Sequence, residues 1–224
     1  MAETVSQLSE IEDMLRRLSA AKRATALKCI TDLFLEDPGR YRPEHINLFD
    51  TLFNELIIET EIEAVAALSR RLAPITNAPI KIIGRLALDD DISVAEPVLA
   101  RSPCTEDSIL TDIARTKSQT HLLAIACRPQ IPEAIVDLLV ERGDDVVVRY
   151  VANNRGARLS ATGMLALLKR AKSDDALAEL INKRDDIPPH LLGSLASKIS
   201  KDPPAAPAQT KTIAAENAAG NLRV

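Results

Sequence analysis

Arg142-Gly143-Asp144-Asp145-Val146-Val147-Val148-Arg149-Tyr150-Val151-Ala152-Asn153-Asn154 is the stretch that decides the fold of this 224-residue chain. Its polar doublet, Asp144-Asp145, separates two apolar stretches of helical period, and the same punctuation recurs on either side. Asp90-Asp91, Ser118-Gln119 and Asp174-Asp175 are the other marks, and successive doublets are spaced by 28, 26 and 30 residues. After each comes a short apolar stretch, a polar or proline-containing turn, and a second apolar stretch. Such a period marks a solenoid, where each helix pair buries its apolar face only by stacking on its neighbours.

Hydrophobic residues make up 46% of the chain, yet aromatics reach only 2% and Trp is absent. The core must therefore be Leu, Ile, Val and Ala, which suits packed helices. Val146-Val147-Val148 is the best β-branched run, and it lies too close to Asp144 and Asn153 for more than a short element. The expected class is all-α: an α-α superhelix with an N-terminal helical cap or bundle over 1–75, repeats over 76–200 and a disordered Pro/Ala-rich tail over 201–224.

Leu8, Ile11, Leu15 and Leu18 form a stripe that predicts a first helix over 6–18. Ala24, Leu27, Ile30 and Phe34 predict a second, stopping near Asp37-Pro38-Gly39. From Pro43 an apolar-periodic stretch reaches Leu72, as one long helix or as two with a break near Glu59-Thr60. Farther on, Ser93 is expected to cap a helix that holds Pro97 in its first turn, where no intrahelical donor is lost. Thr105 and Pro132 open later helices, Gly143 fits a C-terminal cap, and Ile135, Leu138 and Leu139 belong to the core. The last pairs bury Leu165, Leu168, Leu177, Leu180 and Ile181, then Leu191, Leu192, Leu195 and Ile199.

Several function classes are disfavoured. A net charge of −4 argues against a general nucleic-acid binder, whose affinity comes from neutralising phosphates. Cys29, Cys104 and Cys127 are odd in number and form no CxxC, which disfavours a disulfide framework or zinc site. No stretch reaches the roughly 18 apolar residues of a membrane span, and the expectation is a soluble, cytoplasmic protein. The Asp doublets recur one repeat apart at the turns, where Asp caps a helix, so they are not read as a catalytic pair. His45, His121 and His190 are expected on the surface, and Cys127 as a small packed hydrophobe. GxxxxGK, GxGxxG, GxSxG and HExxH are all absent. No catalytic or metal residue and no cofactor is expected.

The arginines are the remaining signal. Arg85, Arg101, Arg115, Arg128, Arg142, Arg149, Arg155 and Arg158 fall on helix ends or turns. There they complement the helix dipole and pair with the Asp turns, or else line one face that takes an acidic peptide, phosphate or nucleic-acid backbone. The candidate partner-binding face is Arg115, Arg128, Arg149, Arg155 and Arg158.

The stretch from Arg142 to Asn154 resembles HEAT-like and leucine-rich-variant repeats, which carry Asp, then Val-Arg, then Val-Ala-Asn across the turn and second helix. Leu86-Ala87-Leu88-Asp89-Asp90-Asp91-Ile92-Ser93-Val94-Ala95-Glu96-Pro97-Val98-Leu99, His121-Leu122-Leu123-Ala124-Ile125-Ala126-Cys127-Arg128 and Leu138-Leu139-Val140-Glu141-Arg142-Gly143-Asp144 are similar to the uncharacterised bacterial family DUF2336. The resemblance covers about Asn47 to Leu191. It implies a bacterial α-solenoid with no catalytic residues to carry over, and a tail that leads to further sequence in longer members.

The expected function is a non-enzymatic interaction scaffold, a right-handed solenoid whose concave side binds another protein, with the N-terminal helices available for a homodimer. The alternative is a nucleic-acid-binding HEAT-like module using the repeat arginines. Against it stand the acidic net charge and Tyr150 as the sole aromatic of the repeats.

Overall fold

A computed structural model describes residues 18–188. The expected helix over 6–18, apart from Leu18, lies outside the described residues, as do His190, the stripe from Leu191 to Ile199 and the 201–224 tail. The described residues form eleven α-helices and one 3-10 turn.

α1 (Ala20–Glu36) stops at Asp37, and Pro38–Arg40 makes the 3-10 turn. α2 (Pro43–Leu56) starts on a proline, whose missing N–H is no loss at a helix N-terminus. The stretch from Pro43 to Leu72 is two helices, because Glu59 adopts φ 56°, in the left-handed region that ends a right-handed helix. Arg23 of α1 holds that break, donating from Nη1 to the Ile58 carbonyl at 2.6 Å. α3 (Ile62–Leu72) follows.

The repeats are short helices: α4 (Ile80–Ala87), α5 (Ile92–Arg101), α6 (Asp107–Thr116) and α7 (Gln119–Ala126), then α8 (Glu133–Arg142), α9 (Asp145–Asn153), α10 (Ala161–Arg170) and α11 (Asp175–Asn182). Acidic caps start three of them. Asp91 accepts from Ser93 N at 2.8 Å, Asp144 from Val147 N at 2.9 Å and Asp174 from Leu177 N at 3.0 Å. The cap of α5 is thus Asp91 rather than Ser93, and Pro97 sits inside the helix rather than in its first turn. The carbonyl it leaves without an intrahelical donor belongs to exposed Ser93. Val146-Val147-Val148 is helical, with Val147 and Val148 in the core.

Gly143 ends α8 with φ −65°, so no left-handed cap forms. Space demands the glycine instead: a Cβ there would overlap the Leu139 carbonyl oxygen and stand 2.7 Å from Val147 Cγ1. Leu138 is only half-buried, whereas Leu139 has no exposure. Leu139→Ala should accordingly cost about 3 kcal/mol in urea unfolding and Leu138→Ala clearly less, about 1–2; equal losses would contradict this assignment of the α8 face.

Nearly every helix packs on the next but one, and most also pack on the next. Two layers result, α1, α3, α5, α7, α9 and α11 in one and α2, α4, α6, α8 and α10 in the other. α4 and α6 meet at Gly84, where a Cβ would stand 3.0 Å from Ile109 Cδ1. Between the layers runs one continuous core of fully buried aliphatics, including Leu72, Ile83, Leu99, Ile113, Ile125, Leu139, Val148, Leu167 and Ile181. Among the described residues, aromatic packing is confined to the N-terminal end, where Phe49 sits 5.0 Å from Phe34 and 4.9 Å from Tyr41, centroid to centroid. The packing rule crosses residue 75 without interruption, since α3 lies on α5 and Ser69 Oγ donates to the Val94 carbonyl at 2.6 Å.

Candidate binding faces and the repeat arginines

The last carbonyls of a helix have no intrahelical donor and carry the negative end of its dipole. Here a side chain from the following repeat supplies the donor. Arg128, just after α7, gives Nη1 to Leu99 O at 2.6 Å and Nη2 to Ser102 O at 2.9 Å, closing the end of α5. Arg142 does the same for Ala114 and Lys117 at the end of α6. Arg170 gives Nη1 to Val140 O at 3.0 Å and Gly143 O at 2.7 Å, closing α8. Arg184 serves α9 through Asn154 O at 2.8 Å, and Arg85 serves α2 through Asn54 O at 3.0 Å. At α7 the donor is an amide: Asn154 Nδ2 lies 3.0 Å from Ala126 O and 2.6 Å from Arg128 O. Arg85, Arg128, Arg142, Arg170 and Arg184 recur with the repeat because each closes an earlier helix.

The five arginines of the candidate face are therefore in different situations. Arg128 is half-buried and closes α5. Arg149 pairs with Asp174 at 2.8 Å, and this hydrogen bond holds the Asp174 carboxyl below its ordinary range while the same side chain caps α11. Arg155, exposed, reaches Asp185 at 3.5 Å. Arg115 and Arg158 are exposed, and their side chains make no hydrogen bond or ion pair among the described residues. Nor do the five converge. Arg115 ends α6 in one layer, whereas Arg128, Arg155 and Arg158 follow the ends of α7 and α9 in the other.

His121 corrects a sequence expectation. It is buried, at 3% exposure, with Nδ1 2.8 Å from Ser118 Oγ and Nε2 3.0 Å from the Asp89 carbonyl. Ser118 makes no backbone cap, and the Ser118-Gln119 turn, lacking an Asp, is built by other side chains. Gln119 donates Nε2 to Arg142 O at 2.9 Å and accepts from Asp144 N at 2.9 Å, which ties it to the next mark. The signal was present, since this doublet alone carries no acid. His45 is exposed beside Tyr41, their rings 6.2 Å apart.

All three cysteines are free. Cys127 is exposed rather than packed, and the partial burial its thiol retains, then Glu96, push its pKa upward. Burial also raises that of Cys104, whose Sγ lies 3.2 Å from the Thr76 carbonyl. Both shifts run opposite to those of an activated thiolate. Among the described residues no group of three His, Cys, Asp or Glu side chains converges, and no helix is long and apolar enough to cross a membrane. A cavity of about 400 Å³ opens between the starts of α2 and α4, lined in part by Tyr41, Ile46, Ile80 and Cys104.

Residues 94–221, more than half of the chain, match the model of a family described as uncharacterised proteins conserved in bacteria. The chain belongs to the DUF2336 family. The DUF2336 match begins within α5, later than the resemblance near Asn47, and runs beyond Leu191 into the Pro/Ala-rich tail. No curated protein and no solved structure matches the chain.

Proposed function

We propose that this DUF2336 protein is a non-enzymatic cytoplasmic scaffold of HEAT-like architecture that holds another protein on the layer formed by α5, α7, α9 and α11. The observation that carries this reading is the outer face of α9. Val146 and Tyr150 stand one turn apart, 48% and 49% exposed, while Val147, Val148 and Val151 on the other side are buried. An exposed tyrosine beside an aliphatic side chain has the composition of an interface anchor, with large area and few rotors. Neighbouring helices extend that face side by side, so one partner touches several repeats. The arginines favour a protein over a nucleic acid. Arg128 and Arg149 are committed within the fold, and a chain of net charge −4 gains little from releasing counterions.

A photo-cross-linking residue placed at Tyr150, or at exposed Thr162 of α10 in the other layer, tests the proposal in cells of the native host. Position 150 should give one dominant protein adduct that Val146→Asp abolishes. Identical adducts from both positions, or adducts removed by nuclease, would overturn it.

A further inference from the structure

We propose that the cavity between the starts of α2 and α4 binds a small neutral molecule, one with an apolar ring and an amide or hydroxyl edge. It lies in the layer of α2 and α4, apart from the α9 face, and stands or falls separately from the scaffold reading. Its volume of about 400 Å³ falls in the range of small-molecule sites. The walls are the stretches 41–47 and 76–80, with Cys104 from the turn before α6. Each is held by bonds of its own. Tyr41 donates its hydroxyl to the Leu33 carbonyl at 2.9 Å and packs its ring on Phe34 and Phe49. Asn77 donates Nδ2 to the Pro38 carbonyl, joining the turn before α4 to the 3-10 turn. Asp50 of α2, buried, accepts from Ile82 N at 2.8 Å and fixes the start of α4. Cys104 Sγ lies 3.2 Å from the Thr76 carbonyl on the remaining side. A hollow bounded by such contacts is preformed, so binding costs little ordering of the walls.

The lining specifies the chemistry of the ligand. Tyr41, Pro43, Ile46, Ala78 and Ile80 make it apolar, while Asn47, Thr76 and Asn77 are polar without charge. In a chain whose residues are 27% charged, none of the described lining residues carries a charge. An ion entering there would shed water and meet no counter-charge. The Cys104 thiol is neutral as well, since burial raises its pKa. The side chains of Asn47 and Thr76 make no hydrogen bond among the described residues, which leaves an amide and a hydroxyl to meet the polar edge of the ligand. At the rim Ile80 is 55% exposed, an aliphatic surface for the ligand to cover. Three Phe and two Tyr are all the aromatics of the chain, and all but Tyr150 pack at this end. A ring bound beside Tyr41 therefore extends an aromatic cluster already in place.

Native Cys104 reports occupancy directly. In the full chain carrying Cys29→Ser and Cys127→Ser, its alkylation by N-benzyliodoacetamide is compared with that by iodoacetamide, each rate divided by the rate with free N-acetylcysteine. The benzyl reagent should react about tenfold faster or more, because binding in the cavity holds it beside the thiol. Its rate should saturate with concentration, and unreactive N-benzylacetamide should slow it where benzoate at the same concentration does not. Ile80→Asp should remove the preference for the benzyl reagent and leave the iodoacetamide rate unchanged. Equal rates without saturation would overturn the proposal. Protection by benzoate as strong as that by N-benzylacetamide would overturn it too, since the lining would then not select a neutral ligand.

Discussion

Gly156→Ala is expected to lower the unfolding free energy by roughly 4 kcal/mol, although it adds a single methyl to a partly exposed loop. A Cβ at Gly156 would overlap the carbonyl oxygen of Pro129, which is backbone and cannot rotate away. The two loops are in contact because they are bonded: Ile131 N donates to Gly156 O at 3.1 Å and Arg158 N to Ile131 O at 3.0 Å, a parallel bridge between the turn after α7 and the turn after α9. Admitting the methyl separates the loops and loses both bonds, about 1 kcal/mol each, on top of overpacking strain of about 1–3 kcal/mol. Gly39 is the control. A Cβ there would meet only Asp37 Oδ1, at 3.8 Å, so Gly39→Ala should be close to neutral. Urea denaturation of the two variants decides the matter, and similar midpoints would show that the loops yield freely.

That bridge also shows where the sequence stops being legible. Helix class, the breaks at Asp37 and near Glu59, and Asp as the recurring cap are local properties, carried by residues within a turn of one another. The cap of α5 was misplaced because Asp89, Asp90, Asp91 and Ser93 are all competent caps. The structure selects Asp91, whose own N–H is held by Asp89 Oδ1 at 2.9 Å. The glycines at 143 and 156 read as turn residues, yet what requires them is the approach of another backbone or side chain. Partners of the arginines lie 25 or more residues back, so period and position were visible while the acceptors were not. Arg128 was thus open to two readings, a binding cation or a helix-end donor, and its acceptors decide between them.

Arg184→Met should destabilise the protein by about 4 kcal/mol, and Arg155→Met by no more than about 0.5. Both guanidiniums sit beside an aspartate near the end of the described stack, although the sequence singles out only Arg155. Arg184 is only 3% exposed. Its Nη1 serves Asn154 O at 2.8 Å and Ala152 O at 3.3 Å, its Nη2 Ala157 O at 2.9 Å, and it pairs with Asp186 at 2.6 Å. Methionine retains much of the packing but takes the donor from the Ala152 and Ala157 carbonyls, while Asn154 O keeps the Ala157 N–H at 3.1 Å; the cost is about 1–3 kcal/mol for each carbonyl left unpaired and buried. Removing a buried charge relieves its desolvation, which keeps the net loss near 3–5 kcal/mol rather than the full sum. Arg155, 77% exposed, exchanges its long contacts for water at little cost. The pH dependence separates the ion pair from the carbonyl contacts. The hydrogen bond from Arg184 holds the Asp186 carboxyl below its ordinary value of 3.8. A depressed folded value contributes stability above the unfolded pKa, and that contribution is lost as pH falls through the folded one. Asp186 is half-exposed and screened, so this part is small. The gap between wild type and Arg184→Met should therefore narrow slightly below about pH 4 and otherwise persist. A gap that closed entirely in acid would assign the stabilisation to Asp186, and the closure of α9 by the following repeat would contribute nothing.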